Sequence, residues 1–189
     1  LKPFRDFDRE LLSVVAEQSV MAIKNLQLYY DQQKIILGSI ESIGKLLVRR
    51  GSMPSAHAPV YFQIVKLMGE KLRMRQSEIE SLQYASILHD AGSIDVPFEI
   101  LSKTSRLTPD EFKIIHDHPA KSVELIKPVK FLKPILPTIL YHHEKYDGTG
   151  YPSGLKKEQI PLGARVMAVV DAFEAMVSRR PYRKRLTID

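Results

Sequence analysis

Apolar positions recur at helical spacing along almost the whole chain, and no segment of note alternates with the period of two that marks a half-buried strand. From Phe7 to Arg50 the stripe Leu11, Leu12, Val15, Ala16, Ala22, Ile23 and Leu26 is thinned only at Ser19, and no proline interrupts it after Pro3. With glycine only at Gly38 and Gly44, this stretch reads as a long helix or helix pair used for docking or coiled-coil dimerisation. The competing reading is an N-terminal core helix of the domain that follows. Gly51-Ser52-Met53-Pro54 is the first break.

The next helix runs through about Met74, with His57 in or near its first turn and Tyr61, Ile64, Val65, Met68 and Leu72 on its buried face. Ser77 and Glu80 are spaced as a capping box for a helix whose apolar positions Ile79, Leu82, Ala85 and Leu88 lead to His89 and Asp90, and Gly92 supplies a stop. Thr108-Pro109-Asp110-Glu111 joins an N-cap, a proline at the first helical position and an acid at the third. The helix it starts carries Phe112, Ile114 and Ile115 and meets His116-Asp117-His118-Pro119. At ~100° per residue His116 and His118 point about 200° apart, so both face one site only if the helix breaks. Pro119 predicts a break near His118, which makes His118 the candidate ligand and His116 a surface residue.

Pro134 or Pro137 opens a helix through Ile139, Leu140 and Tyr141 to His142 and His143, and Asp147-Gly148-Thr149-Gly150 then forces a tight loop. A last helix from Leu162 to Ser178 presents Ala164, Met167, Ala168, Val170, Ala175 and Met176, with Asp171 embedded among them. A buried carboxylate is costly unless it is paired or metal-bound, which singles out Asp171. These elements predict an all-α bundle with candidate ligands converging from several helices.

Composition narrows the chemistry. The 189 residues, 44% hydrophobic with 12 prolines, suffice for one domain core and a short appendage. The absence of cysteine removes disulfides, thiolate zinc sites and cysteine nucleophiles, and agrees with a reducing compartment. No run approaches the roughly 18 apolar residues of a membrane span. The start without Met and the end at Asp189, just after a basic run, read as a piece of something longer. The net charge of +6 suits an anionic ligand or a solvated surface. Nucleic-acid binding rests on that balance alone, with no recognition motif, and is not expected. The adjacent pairs His89-Asp90 and His142-His143 can hold two metal ions close together, the apparatus for activating water against a phosphate ester.

The stretches LLVRRGSMPSAHAPV, ILHDAGSIDVP, HDHPAKSVELI, YHHEKYDGTGYPSGLKKEQIP and ARVMAVVDAFEAMVSRRPYRK resemble the HD-GYP family, in order and with compatible spacing, over about residues 40 to 187. A His-Asp pair alone is a weak match, whereas HHExxDGxGYP followed by VxDAF and RPYR is a highly specific signature. The stretch FDRELLSVVAEQSVMAIKNLQLYYDQQ also resembles the closing helix of a GAF sensory domain. The HD-GYP resemblance implies an HD-superfamily helical bundle over 39–189, preceded by a linker or dimerisation helix over 1–38. It implies a cytoplasmic bacterial phosphodiesterase that opens cyclic di-GMP to linear pGpG or GMP by attack of a metal-bridging hydroxide. The metals would be iron or manganese, diguanylate cyclase (GGDEF) domains would be partners, and the N-terminal helix would form a homodimer.

By the same resemblance His57, His89, Asp90 and Asp171 hold one metal, and Asp90, His118, His142 and His143 hold the second, with Asp90 bridging. Asp147, Gly148, Gly150 and Tyr151 match the loop that shapes the substrate pocket, and Arg180 and Arg183 match the segment near the nucleotide. Two positions depart from the family. Ser93 stands where the pattern HDxGK places a catalytic lysine that neutralises the scissile phosphate, and Met53 stands where members with three metals carry a glutamate. Two divalent ions are therefore expected, with slower turnover. The alternative is a weakened module that serves as a cyclic di-GMP sensor or protein-interaction domain.

Overall fold

The helical period is realised as eight α-helices in a computed structural model that describes residues 5–49 and 58–177. They are α1 (Asp6–Arg49), α2 (Ala58–Lys71), α3 (Gln76–Leu88), α4 (Phe98–Leu101), α5 (Pro109–His116), α6 (His118–Ile126), α7 (Leu136–Tyr141) and α8 (Leu162–Val177). Short 3-10 turns at Ala91–Asp95, Lys130–Ile135 and Lys157–Gln159 join them, and no strand occurs among the described residues. The fold is all-α, as the period predicts. No described helix is long and apolar enough to cross a membrane.

The chain divides into two compact units, Leu1–Ser39 and Ile40–Asp189. In the first, α1 runs unbroken, one helix rather than a pair, and Leu11, Leu12, Val15, Ile23 and Leu26 are exposed along it. The second unit holds the core. Tyr61 and Val65 of α2, Leu82 of α3, and Val166, Met167 and Val170 of α8 pack together, with Ile64, Met68 and Met74 against them. Burying a side chain of this size is worth roughly 1.5–3 kcal/mol, so this cluster fixes where α2, α3 and α8 cross. In α3, Gln83, Ser86 and Ile87 are buried together with Ile79, Leu82, Ala85 and Leu88. Leu72 and Met176, expected to be buried, are 48% and 41% exposed. Leu72 falls just past the end of α2, and Met176 lies in the last turn of α8, beyond the core cluster.

Local chemistry explains most helix starts. At α5 the Thr108 Oγ1 accepts from the Glu111 amide (3.2 Å) and Glu111 reaches back to the Thr108 amide (2.7 Å), completing the expected box. Lys103 Nζ also donates to Glu111 (2.6 Å). The box expected at Ser77 and Glu80 is displaced. Glu78 instead accepts from the Arg75 amide (2.8 Å) and guanidinium (2.9 Å), so α3 begins at Gln76, and Glu80 accepts from the Gln76 side-chain Nε2 (3.3 Å). Pro137, not Pro134, sits in the first turn of α7, and Pro134 lies within the preceding 3-10 turn.

Gly92 acts by close approach rather than as a left-handed helix stop. A methyl group there would collide with the His118 carbonyl and the Ser122 amide. The Gly92 amide donates to Ser122 Oγ (2.7 Å), which itself donates to the His89 carbonyl (2.7 Å). One fully buried hydroxyl thus ties the end of α3 to α6.

Candidate metal centre

Three histidines of the second unit carry the same local device. His89, His118 and His142 each set Nδ1 against the carbonyl three residues earlier: Ser86 (3.1 Å), Ile115 (2.7 Å) and Ile139 (2.7 Å). Because a carbonyl only accepts, Nδ1 must carry the proton, and in the neutral ring Nε2 keeps a lone pair. All three rings are buried just past or at a helix end, which holds them rigid. The helix breaks at Asp117, between α5 and α6, and this break lets the His118 ring turn inward, as Pro119 predicts.

The free Nε2 atoms converge on Asp90. His118 Nε2 lies 3.1 Å and His142 Nε2 3.7 Å from Asp90 Oδ1, while His89 Nε2 lies 3.3 Å from Oδ2. The Nε2 atoms of His118 and His142 are 3.4 Å apart. Lone pairs facing each other and a carboxylate repel unless a cation or a proton stands between them, so the donor set fits a metal ion. Asp90, His118, His142 and His143 each offer one ligand atom, all within 4.8 Å of one another. This is the set the sequence assigns to the second metal. Asp90 keeps 22% of its side chain exposed, while the rings of His89, His118 and His142 are at most 4% exposed and His143 is half-buried, so solvent reaches the cluster at Asp90 and His143.

Electrostatics follow the same geometry. Burial opposes protonation of His89, but the Asp90 carboxylate beside it wins and raises its pKa to about 9. Burial would likewise raise Asp90, yet His89 and the histidine hydrogen bonds hold its carboxyl well below the ordinary range. Burial, then the charges of His142 and His118, lower His143 to about 2, and burial lowers His142. This shift favours neutral His143, the form that ligates a metal.

Asp171 is half-buried and accepts from the Tyr61 hydroxyl (3.0 Å), so it has a protein partner where the sequence suggested a lone acid. Burial and then Asp171 raise the Tyr61 phenol, which keeps it a donor. Ser93 is buried in the turn after Asp90, and its amide donates to the Asp90 carbonyl (2.9 Å). Asp147 is exposed and spends Oδ1 within its own loop, accepting from the Thr149 amide (2.9 Å) and hydroxyl (2.7 Å). Gly148 has φ +84°, as that turn requires, and Gly150 lies tight against the backbone of His143 to Lys145. Tyr151 is half-buried, with ring centroid 4.8 Å from that of His143. His57, Met53, Arg180 and Arg183 lie outside the described residues.

Three contributors escaped the sequence reading. Glu144, 3% exposed, accepts from the Ser153 amide (2.7 Å) and the Leu155 amide (3.0 Å), and so clamps the loop that follows His143. Its place in the HHE stretch is the one signal that could have marked it. Ser122 had none. His116, read as a surface residue, is half-buried and stacks on Tyr151 at 3.6 Å and 17°.

An all-α bundle that gathers a histidine and aspartate cluster able to hold a metal ion defines the class. The chain belongs to the HD domain family, which matches residues 17–189. It is 35% identical over 80% of its length to a cyclic di-GMP phosphodiesterase response regulator, RpfG, of Xanthomonas campestris pv. campestris, covering 40% of that protein. It is 41% identical over 61% of its length to a cyclic di-GMP phosphodiesterase of Thermotoga maritima, covering 32%. A 3'3'-cGAMP-specific phosphodiesterase 2 of Vibrio cholerae is 30% identical over 94% of this chain, which covers 34% of that relative. The chain thus spans about a third to two fifths of the curated relatives it matches.

Proposed function

We propose that this chain is a metal-dependent phosphodiesterase that hydrolyses cyclic di-GMP to linear pGpG or GMP; two of the relatives above are named cyclic di-GMP phosphodiesterases. The observation that carries the reading is the convergence of His118 and His142 Nε2 lone pairs on Asp90 Oδ1, with His89 on Oδ2. A carboxylate with histidines on both oxygens is arranged to bridge two ions. In this reading Asp90, His118, His142 and His143 would hold one, and His57, His89, Asp90 and Asp171 would hold the other. Imidazole and carboxylate donors without thiolates suit iron or manganese. Bound divalent ions neutralise phosphate charge and lower the pKa of water to about 7.

The residues of the chain do the rest. Asp90 orients the reacting groups and, held well below the ordinary carboxyl range, stays ionised. The His143–Tyr151 loop closes one side of the site, and Arg180 and Arg183 fork to phosphate or guanine. Ser93 brings a hydroxyl but no positive charge to the lysine position, so turnover is slower than in relatives with lysine. The protein acts in the cytoplasm, pairs with GGDEF domains and dimerises through α1, whose exposed apolar stripe supports that last point.

Replacing Asp90 or His118 with Ala tests the centre. Bound metal should fall from two equivalents to about one in His118→Ala and below one in Asp90→Ala, and hydrolysis should drop more than about a hundredfold in both, beyond the 10–100-fold typical of residues behind the ligands. Retained metal with retained hydrolysis in Asp90→Ala would refute the assignment.

A further inference from the structure

Four rings form a continuous series from the surface to the metal cluster. Phe112 and His116, one turn apart on α5, have centroids 4.1 Å apart at 52°. His116 lies 3.6 Å from Tyr151 at 17°, and Tyr151 lies 4.8 Å from His143 at 28°. Tyr151 is therefore stacked between two histidines. We propose that His116 is a positioning residue, which holds Tyr151 flat against His143 and thereby fixes the orientation of a metal-ligating ring.

Several features favour this over incidental packing. His118 and His142 have Nδ1 pinned by a carbonyl, whereas His143 makes no such bond among the described residues, so its ring needs another restraint. The Tyr151 amide reaches the His143 carbonyl at 3.3 Å, a long contact that places the two backbones but leaves ring tilt to the stack. His116 is itself well anchored. Its helix is capped by Thr108 and Glu111, the latter held by Lys103, and Phe112 packs against its ring. The stack carries an independent consequence, since with histidines flanking its ring Tyr151 meets a substrate through its edge and hydroxyl, not by stacking a base.

This inference rests on the reading of His143 as a metal ligand. The test compares wild type, His116→Ala and His116→Phe in the full chain. Manganese(II) affinity is read by calorimetric titration of metal-free protein, and the His143 and Tyr151 ring signals by NMR. His116→Ala should bind manganese about threefold to tenfold more weakly, the range one aromatic pair commands, and should shift both ring signals. His116→Phe, which keeps the stack without nitrogen, should recover most of the affinity. Unchanged affinity in His116→Ala, even with a lowered melting temperature, would overturn the proposal and leave a merely structural role. So would failure of His116→Phe to recover. If wild type takes up no manganese, the metal reading fails instead, and the NMR arm still decides: unmoved His143 signals in His116→Ala would overturn positioning on their own.

Discussion

Glu144 is a carboxylate buried to 3% exposure that serves backbone rather than metal. Its two oxygens satisfy the Ser153 and Leu155 amides, and this clamp holds the loop from His143 to Tyr151 in register. Glu144→Gln turns one acceptor into a donor facing another donor, and should cost about 1–3 kcal/mol, the penalty of an unsatisfied buried group. Urea unfolding of the two proteins checks the value, and an unchanged midpoint would rule the clamp out. Ser93→Lys should raise cyclic di-GMP turnover by restoring a charge near the scissile phosphate, measured as initial rate on metal-loaded protein. No gain over a measurable wild-type rate would mean the missing lysine does not limit the reaction. At this scale the sequence was most informative about His89, Asp90, His118, His142 and His143, because each sits in a short motif near a helix end. Glu144 and Ser122 were hidden, since their partners are backbone groups that no side-chain pattern marks. His116 was misplaced because the helical-wheel argument asks which way a ring points relative to one site. Its real partner, Tyr151, is distant in sequence.

At the scale of elements, α5 is the support from which the ring stack is built. Losing its cap in Thr108→Ala should cost about 1 kcal/mol in urea unfolding. Glu111 adds a pH signature. Hydrogen bonds from Lys103 and then the Thr108 amide lower its pKa below the ordinary 4.5. A depressed carboxyl stabilises the fold above its unfolded pKa, and the gain disappears as pH falls through the folded value. The stability gap between wild type and Glu111→Gln should therefore be widest above the unfolded carboxyl pKa and should narrow as pH falls through the lowered folded value. A constant gap would contradict the ion-pair account. The long helices were legible from period and caps, whereas α4 and α6, which are short, were not read from the sequence. The start of α3 was misread because Ser77-Glu80 and Arg75-Glu78 offer overlapping caps, and the carboxylate with the cationic partner prevailed. Gly92 looked like a stop, but its need for space comes from α6, a neighbour that sequence order does not reveal.

At the scale of the molecule, the all-α architecture was legible because strand period is absent and apolar stripes end in candidate ligands. Less legible was the distribution of burial, as at Leu72 and Met176, which depends on where helices stop relative to the core. The exposed stripe of α1 leads to a prediction of its own. Leu12, Val15, Ser19, Ala22 and Leu26 recur at alternating three- and four-residue spacing, the seam of a coiled coil broken only by the serine. Light scattering should find a dimer in wild type and a monomer in a Leu12→Asp, Leu26→Asp double variant, and a wild-type monomer at micromolar concentration would refute the docking role. The central claim concerns the chemistry of the Asp90 cluster. Anaerobically purified protein loaded with iron or manganese, incubated with cyclic di-GMP and analysed by mass spectrometry, should release linear pGpG or GMP, with none formed under chelator or in Asp90→Ala. Intact cyclic di-GMP after incubation with metal-replete wild type would contradict it.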